Sequence, residues 1–199
     1  MKPAINHLIT IAGLAALFLA AGCGGKKEKK GEGKIFPALS YIRSQAAMID
    51  TSLFSIRVIT SRDSLAADTL HIPREEFRDA AADFLSLPDI STAAYSRRYT
   101  EESSYDDALN RVMFISTPAN AEKELIQRQE VLIRPDQASG DKVTSIFIKT
   151  FLSTKDSSVQ KMLLWKVDQS FQITTIKQLP GQPETTTVKK VVWNEEEQE

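Results

Sequence analysis

Two stretches decide the fold: Lys142-Val-Thr-Ser-Ile-Phe-Ile-Lys-Thr-Phe-Leu-Ser153 and Gln160-Lys-Met-Leu-Leu-Trp-Lys-Val-Asp168. Extended chains send successive side chains to opposite faces. In the first stretch Val143, Phe147 and Phe151 then point one way and Ile146, Ile148 and Leu152 the other, while Met162-Leu163-Leu164-Trp165 in the second is apolar on both sides. A sheet with water on one side shows a clean polar face. These strands do not, so each side of their sheet calls for a cover: helices on one, and on the other sheet curvature, a second layer, a ligand or a partner.

Outward from this centre, nearly everything after residue 94 reads as strand, with further candidates near 95–102, 109–116, 123–134, 171–178 and 186–193. Turn signals separate most of them. Pro135 to Asp141 contains Gly140, which takes positive φ without steric cost, and Asp168-Gln169-Ser170 closes another hairpin. Short connections between successive strands imply an antiparallel meander. The covering helices come earlier. Pro37 suits a first helical turn, and Leu39, Ile42, Ala46, Ile49 and Leu53 form one helical stripe, which predicts a helix over 37–51. Phe54, Ile56 and Val58 then alternate with polar residues, and with Thr69 to Ile72 they predict a hairpin. Pro73 opens a second helix with Glu75 and Glu76 in its first turn and Phe77, Ala80, Ala81, Phe84 and Leu85 facing inward, ending at Leu87-Pro88.

The expected fold class is therefore α+β: two helices and a hairpin packed on a curved antiparallel meander, residues 35–194 forming one domain. This order of elements resembles cystatin-like and nuclear-transport-factor-like folds, and more distantly the half-barrel carriers of the bacterial envelope. Such architectures host enzymes, binding modules and scaffolds alike, so the resemblance implies little about function.

The chain has 199 residues, of which 42% are hydrophobic and 26% charged, a composition that buries a real core. Its 25 Lys and Arg balance 26 Asp and Glu, so bulk charge gives no reason to expect nucleic acid as a partner. One Cys and two His exclude an intramolecular disulfide and any zinc site needing four such ligands.

The amino terminus carries its own pattern. Lys2 precedes an uncharged run from Leu8 to Ala21, too short to span a bilayer at about 20 residues. A basic start, a brief apolar run and small residues at its end are the layout of a secretory signal. The run closes on Leu19-Ala20-Ala21-Gly22-Cys23, which resembles the lipobox of bacterial lipoproteins. The resemblance implies removal of residues 1–22, a lipid on Cys23 and attachment to a membrane. Two or more acyl chains anchor firmly where one binds reversibly. Residues 23–34 then form a lipidated tether rich in Lys and Gly, spanning about 18 Å as a coil, and 195–199 an acidic tail. By the sorting rule of enteric lipoproteins, Gly24 after the cysteine implies the outer membrane, facing the periplasm.

Motifs that could carry chemistry are few. Ser158-Val159-Gln160-Lys161 matches a Ser-x-x-Lys signature, but it enters a strand rather than opening a helix, and its companion motifs are missing. His71, the one histidine beyond Cys23, reads as a strand-end or capping residue. Glu101, Glu102, Asp106 and Asp107 would serve a hydrolase only if a pair faced each other across a cleft; surface ion pairs with Arg97 and Arg98 are the plainer reading. The sequence holds no complete catalytic, metal-binding or cofactor motif, so none of these sites is expected. Tyr95, Arg97, Arg98, Tyr99 and Tyr105 form the candidate contact surface, where aromatic rings and guanidinium groups can stack on a ligand. The sequence thus reads as a lipid-anchored, non-catalytic binding or scaffold domain for an envelope protein or apolar ligand. A half-barrel lipid or lipoprotein carrier is the first alternative and a carboxylate hydrolase the second.

Overall fold

Alternating side chains and short connections make each strand pair with its sequence neighbour, and the structure follows that rule through most of its length. The computed structural model describes residues 34–194 apart from 64, 137 and 139, all within the compact unit Glu32–Glu199. The expected leader 1–22, Cys23, the expected tether up to Gly33 and the expected tail 195–199 lie outside the described residues.

Helix α1 (Ala38–Ile49) is followed by strands β1 (Ile56–Arg62) and β2 (Asp68–Ile72), then the short helices α2 (Phe77–Ala80) and α3 (Ala82–Leu85). The meander follows as β3 (Tyr99–Asp106), β4 (Arg111–Pro118), β5 (Ile126–Arg134), β6 (Lys142–Ser153), β7 (Ser158–Lys166), β8 (Ser170–Gln178) and β9 (Thr185–Val192). All nine strands join one antiparallel sheet in the order β2-β1-β9-β8-β7-β6-β5-β4-β3. The fold is α+β.

One face of the sheet carries the core. Ile146, Ile148, Leu163, Trp165, Phe171, Ile173 and Val191 are buried there beneath the helices. Phe77 and Phe84 descend from α2 and α3 onto this floor, edge-on to Trp165 with ring centroids 6.3 and 5.3 Å away. Trp165 in turn stacks on Phe171 at 5.4 Å. Helix α1 buries Ala38, Leu39, Ile42, Ala46 and Ile49, the stripe its spacing predicts; Leu53, included in that stripe, lies beyond the helix and is almost wholly exposed. Among the described residues nothing covers the opposite face, and its apolar side chains, Phe147, Met162 and Leu164 among them, are half-buried between their strand neighbours.

Several expectations need correction. Residues 73–87 do not form one helix: a 3₁₀ turn over Arg74–Glu76 leads into α2 and α3, which break at Ala81. The cause is a side chain inserted into the helical ladder. In a continuous helix the Phe84 N–H would donate to the Ala80 carbonyl. Here it donates to Ala81 O, and Ala80 O accepts from Lys189 Nζ at 2.8 Å. The strand expected over 95–102 begins only at Tyr99, because Ser96–Arg98 is a 3₁₀ turn that brings the chain onto the sheet edge. Val143 does not share a face with Phe147. The pairing of β5 with β6 shifts by one residue between Leu132 and Ile133, leaving Thr144 as the extra residue, and Val143 turns toward the core.

The helix α1 start is fixed from a distance. Pro37 precedes it and offers no side-chain cap. Asp89 Oδ2 instead accepts from the Ser40 N–H at 3.2 Å and Ser40 Oγ at 2.7 Å, while Oδ1 accepts from the Ser91 N–H and Oγ. The Asp89 carboxyl is buried, which acts to raise its pKa, but these hydrogen bonds from Ser91 and Ser40 outweigh burial and hold it below its ordinary value. A carboxyl whose folded-state pKa is depressed stabilises fully above its unfolded pKa, near 3.9, and loses that contribution as pH falls through the lower folded value. Asp89→Ala is expected to lower the unfolding free energy by about 1–2 kcal/mol at neutral pH. It should also flatten the acid limb of stability, both read from urea melts across the acid range.

Candidate binding cleft

Where α1 ends, the chain must turn back into β1, and the turn leaves apolar side chains without full cover. Met48, Leu53 and Phe54 are exposed there. Beside them lie the β7–β8 turn and the end of β9. Together these segments enclose a cleft of about 300 Å³ lined by Gln45, Met48, Ile49, Ser52, Phe54, Asp168, Trp193 and Asn194. That volume is at the lower limit for small-molecule sites.

The cleft is built on fixed elements. Asp168 holds a φ of 60° in the two-strand turn, and its N–H donates to the buried Gln45 side-chain oxygen at 3.3 Å. Backbone N–H groups of Trp193 and Asn194 both donate to Gln169 O at 3.1 Å, which pins the end of β9 to the same turn. Ile49 and Trp193 are buried at the cleft's base, with Met48 and Phe54 exposed at its rim. The arrangement offers an apolar floor with a carboxylate and two amides at its edge, which suits an alkyl or aromatic group with a hydrogen-bonding end. Trp193 also bounds a smaller pocket of about 140 Å³ with Ser55, Arg57, His71 and Val192. His71 lies one residue before the end of β2, opposite Arg57.

The sequence-derived contact surface divides. Three of its members meet: the Arg98 guanidinium lies 4.4 Å from the Tyr95 ring centroid, pairs with Glu124 at 2.9 Å, and the Tyr99 hydroxyl reaches the same carboxylate at 3.4 Å. Tyr99 is buried, and burial together with the Glu124 charge pushes its hydroxyl pKa upward. Arg97 is exposed beside this cluster. Tyr105 stands at the other end of β3, where its hydroxyl donates to Asn110 Oδ1 at 2.7 Å. It shares no contact surface with the rest.

The four acids divide as well. Glu101 and Glu102 are neighbours on β3 and face opposite sides of the sheet. Glu101 accepts from the Phe36 N–H and from Ser116 Oγ at 2.7 Å, and Gln129 Nε2 donates to Phe36 O, so this carboxylate anchors the segment that leads into α1. Asp106 Oδ1 accepts from the N–H groups of Ala108 and Leu109, closing the turn to β4. In the Ser-x-x-Lys segment, Ser158 and Lys161 lie on opposite faces of β7, and Lys161 Nζ pairs with Asp83 at 2.6 Å. Burial lowers the pKa of Lys189 in the same neighbourhood, with nearby Lys161 adding to the shift and Asp83 opposing it.

Sequence reasoning missed the cleft, whose lining comes from the end of α1, the stretch before β1, one hairpin turn and the last residues of β9. Only the exposed Leu53-Phe54 pair gave a local signal. Comparison with known protein families, with curated proteins and with solved structures finds no match to this chain. Among the described residues no helix is long and apolar enough to cross a membrane, and no group of three or more His, Cys, Asp or Glu is placed to hold a metal ion.

The divided patch has a measurable consequence. Arg98→Ala leaves the largely buried Glu124 carboxylate without its cation and removes the stack on Tyr95. It is expected to cost about 1–2 kcal/mol in chemical denaturation. Tyr105→Phe removes an exposed hydrogen bond and should change stability by less than about 0.5 kcal/mol.

Proposed function

We propose that this chain is a lipid-anchored protein of the bacterial envelope whose domain is a non-catalytic binding module, taking a small apolar ligand in the cleft at Trp193. The cleft carries the reading: an apolar floor of Ile49 and Trp193, an exposed apolar rim of Met48 and Phe54, and a few polar groups at the edge are the usual composition of a ligand site. The anchor rests on Leu19 to Cys23, and the outer-membrane destination on Gly24. A half-barrel carrier would need a chamber between helices and sheet. Phe77, Phe84, Trp165, Phe171 and Trp193 pack against one another in that space, which favours a site at the rim over one inside.

Two measurements test the reading. Intact-mass analysis of protein made in a lipoprotein-processing bacterium should show loss of residues 1–22 and an acyl addition that Cys23→Ser abolishes. An unprocessed Met1 or a bare thiol on Cys23 would overturn the anchor. For the cleft, Trp165→Phe leaves Trp193 as the sole tryptophan, and titration with laurate or an anilinonaphthalene probe should shift its emission. Met48→Lys with Phe54→Ser should weaken that binding about tenfold or more, as expected for losing apolar contact. Unchanged affinity would remove the ligand from the cleft.

A further inference from the structure

The uncovered face of the sheet has a charge pattern that the bulk composition hides. The five adjacent strands β1, β9, β8, β7 and β6 contain no Asp or Glu at all. They contain Lys and Arg on both faces, and the register sends Arg57, Lys149, Lys166 and Lys190 to the uncovered one. Strand preference does not explain this, because Lys as well as Asp and Glu is disfavoured in strands. Lys149, Lys166 and Lys190 make no ion pair among the described residues. Acids on this face stand on the other strands, Glu130 on β5 beside Phe147 and Glu102 and Asp106 on β3, and Glu75, Glu76, Asp79 and Asp83 lie along the helices of the other side. A nearly neutral chain thus gathers cations, and no acids, on five adjacent strands of its uncovered face.

Between these cations lie half-buried apolar side chains. Lys149 stands opposite Met162, Phe147 opposite Leu164, and Phe151 at the end of β6 is 43% exposed. We infer that this uncovered face docks on an anionic lipid bilayer. Ammonium groups on flexible stems reach the headgroups while the apolar side chains between them meet the acyl boundary, and one interface thereby satisfies both kinds of group. A second copy laid with these five strands on the same five strands would set like charge against like. A polyanionic chain would meet the lysines and leave the apolar side chains between them in water. The inference goes beyond the anchor proposed at Cys23 and does not require it. With that anchor in place, docking would lay the domain down on its own membrane with the helix-covered side outward.

The test uses the full chain with Cys23→Ser, so that lipidation plays no part, and a single new cysteine at Met162→Cys carrying an environment-sensitive NBD fluorophore. A control carries the label at Ala47→Cys, exposed on α1. With vesicles of equal phosphatidylglycerol and phosphatidylcholine, the label at 162 should shift to the blue and be quenched by spin-labelled lipid, and the label at 47 should not. Pure phosphatidylcholine should give no response at 162, and about 0.5 M salt should largely reverse the anionic one. Lys149→Gln with Lys166→Gln and Lys190→Gln should weaken binding about a hundredfold, with circular dichroism confirming the fold. Replacing the five tether lysines by Gln should leave the response at 162 in place. A label at 162 that stays in water, equal responses at 162 and 47, or an unchanged affinity in the triple variant would overturn the inference. An equally strong response to soluble heparin or polyglutamate would also overturn it, by assigning the face to polyanions or acidic proteins instead. Because Cys23 is absent from every arm, failure here leaves the anchor proposal standing, and failure of the anchor leaves this one standing.

Discussion

The constraint on which the rest depends is the crossing from β2 to β3. These consecutive strands stand at opposite edges of a nine-stranded sheet. At about 4.8 Å between neighbouring strands the edges of a flat sheet of this width are roughly 38 Å apart. The chain from Pro73 to Arg98 must cover that span, and it does so over one face only. Phe77, Ala81, Phe84, Leu87 and Ile90 of this segment are buried in the process. Helix α1 fills the remaining width, tied to the crossing segment by Asp89 and by Arg43, which donates to Leu85 O and Leu87 O. The single crossing divides the sheet into a packed side and an uncovered one.

Much of this was legible in the sequence because its information is local. Period-two alternation marked β6, whose bounds are the expected 142–153, and located β7, β8 and β9 to within two residues. The stripe from Leu39 to Ile49 gave α1. What failed to show were effects that reach across the chain. Nothing near Ala81 says that its helix breaks; the reason is Lys189, more than a hundred residues away. Nothing near Val143 announces a register shift that is a property of the β5–β6 pair. The order of the sheet, with β1 placed against β9, is likewise a long-range outcome.

The candidate sites were less legible, and for the same reason. Tyr95, Arg98 and Tyr99 come together because they are close in sequence, but the carboxylate that organises them is Glu124 from the β4–β5 connection. Tyr105 is close in sequence too, yet six residues of extended chain carry it to the other end of the strand. Glu101 looked like one of a pair of acids and proves to be a clamp on Phe36. The cleft at Trp193 depends on four separate segments meeting, which no local pattern records. Charge segregation falls between these cases. The absence of acids from five strands is visible in the letters, but that those strands lie side by side is not.

An open sheet leaves two edges, and the chain treats them differently from its middle. β2 is only five residues long and begins with Asp68, whereas β3 reads Tyr-Thr-Glu-Glu-Ser-Ser-Tyr-Asp and puts an acid on each face. Short length and inward or outward charge are the usual guards against strand-by-strand polymerisation. The long apolar strands that would template fibrils, β6 and β7, are sealed in the interior of the ladder with a partner on both sides. Protection from strand-by-strand polymerisation is therefore a matter of strand order: a topology that brought β6 to a margin would expose Ile-Phe-Ile to every passing copy.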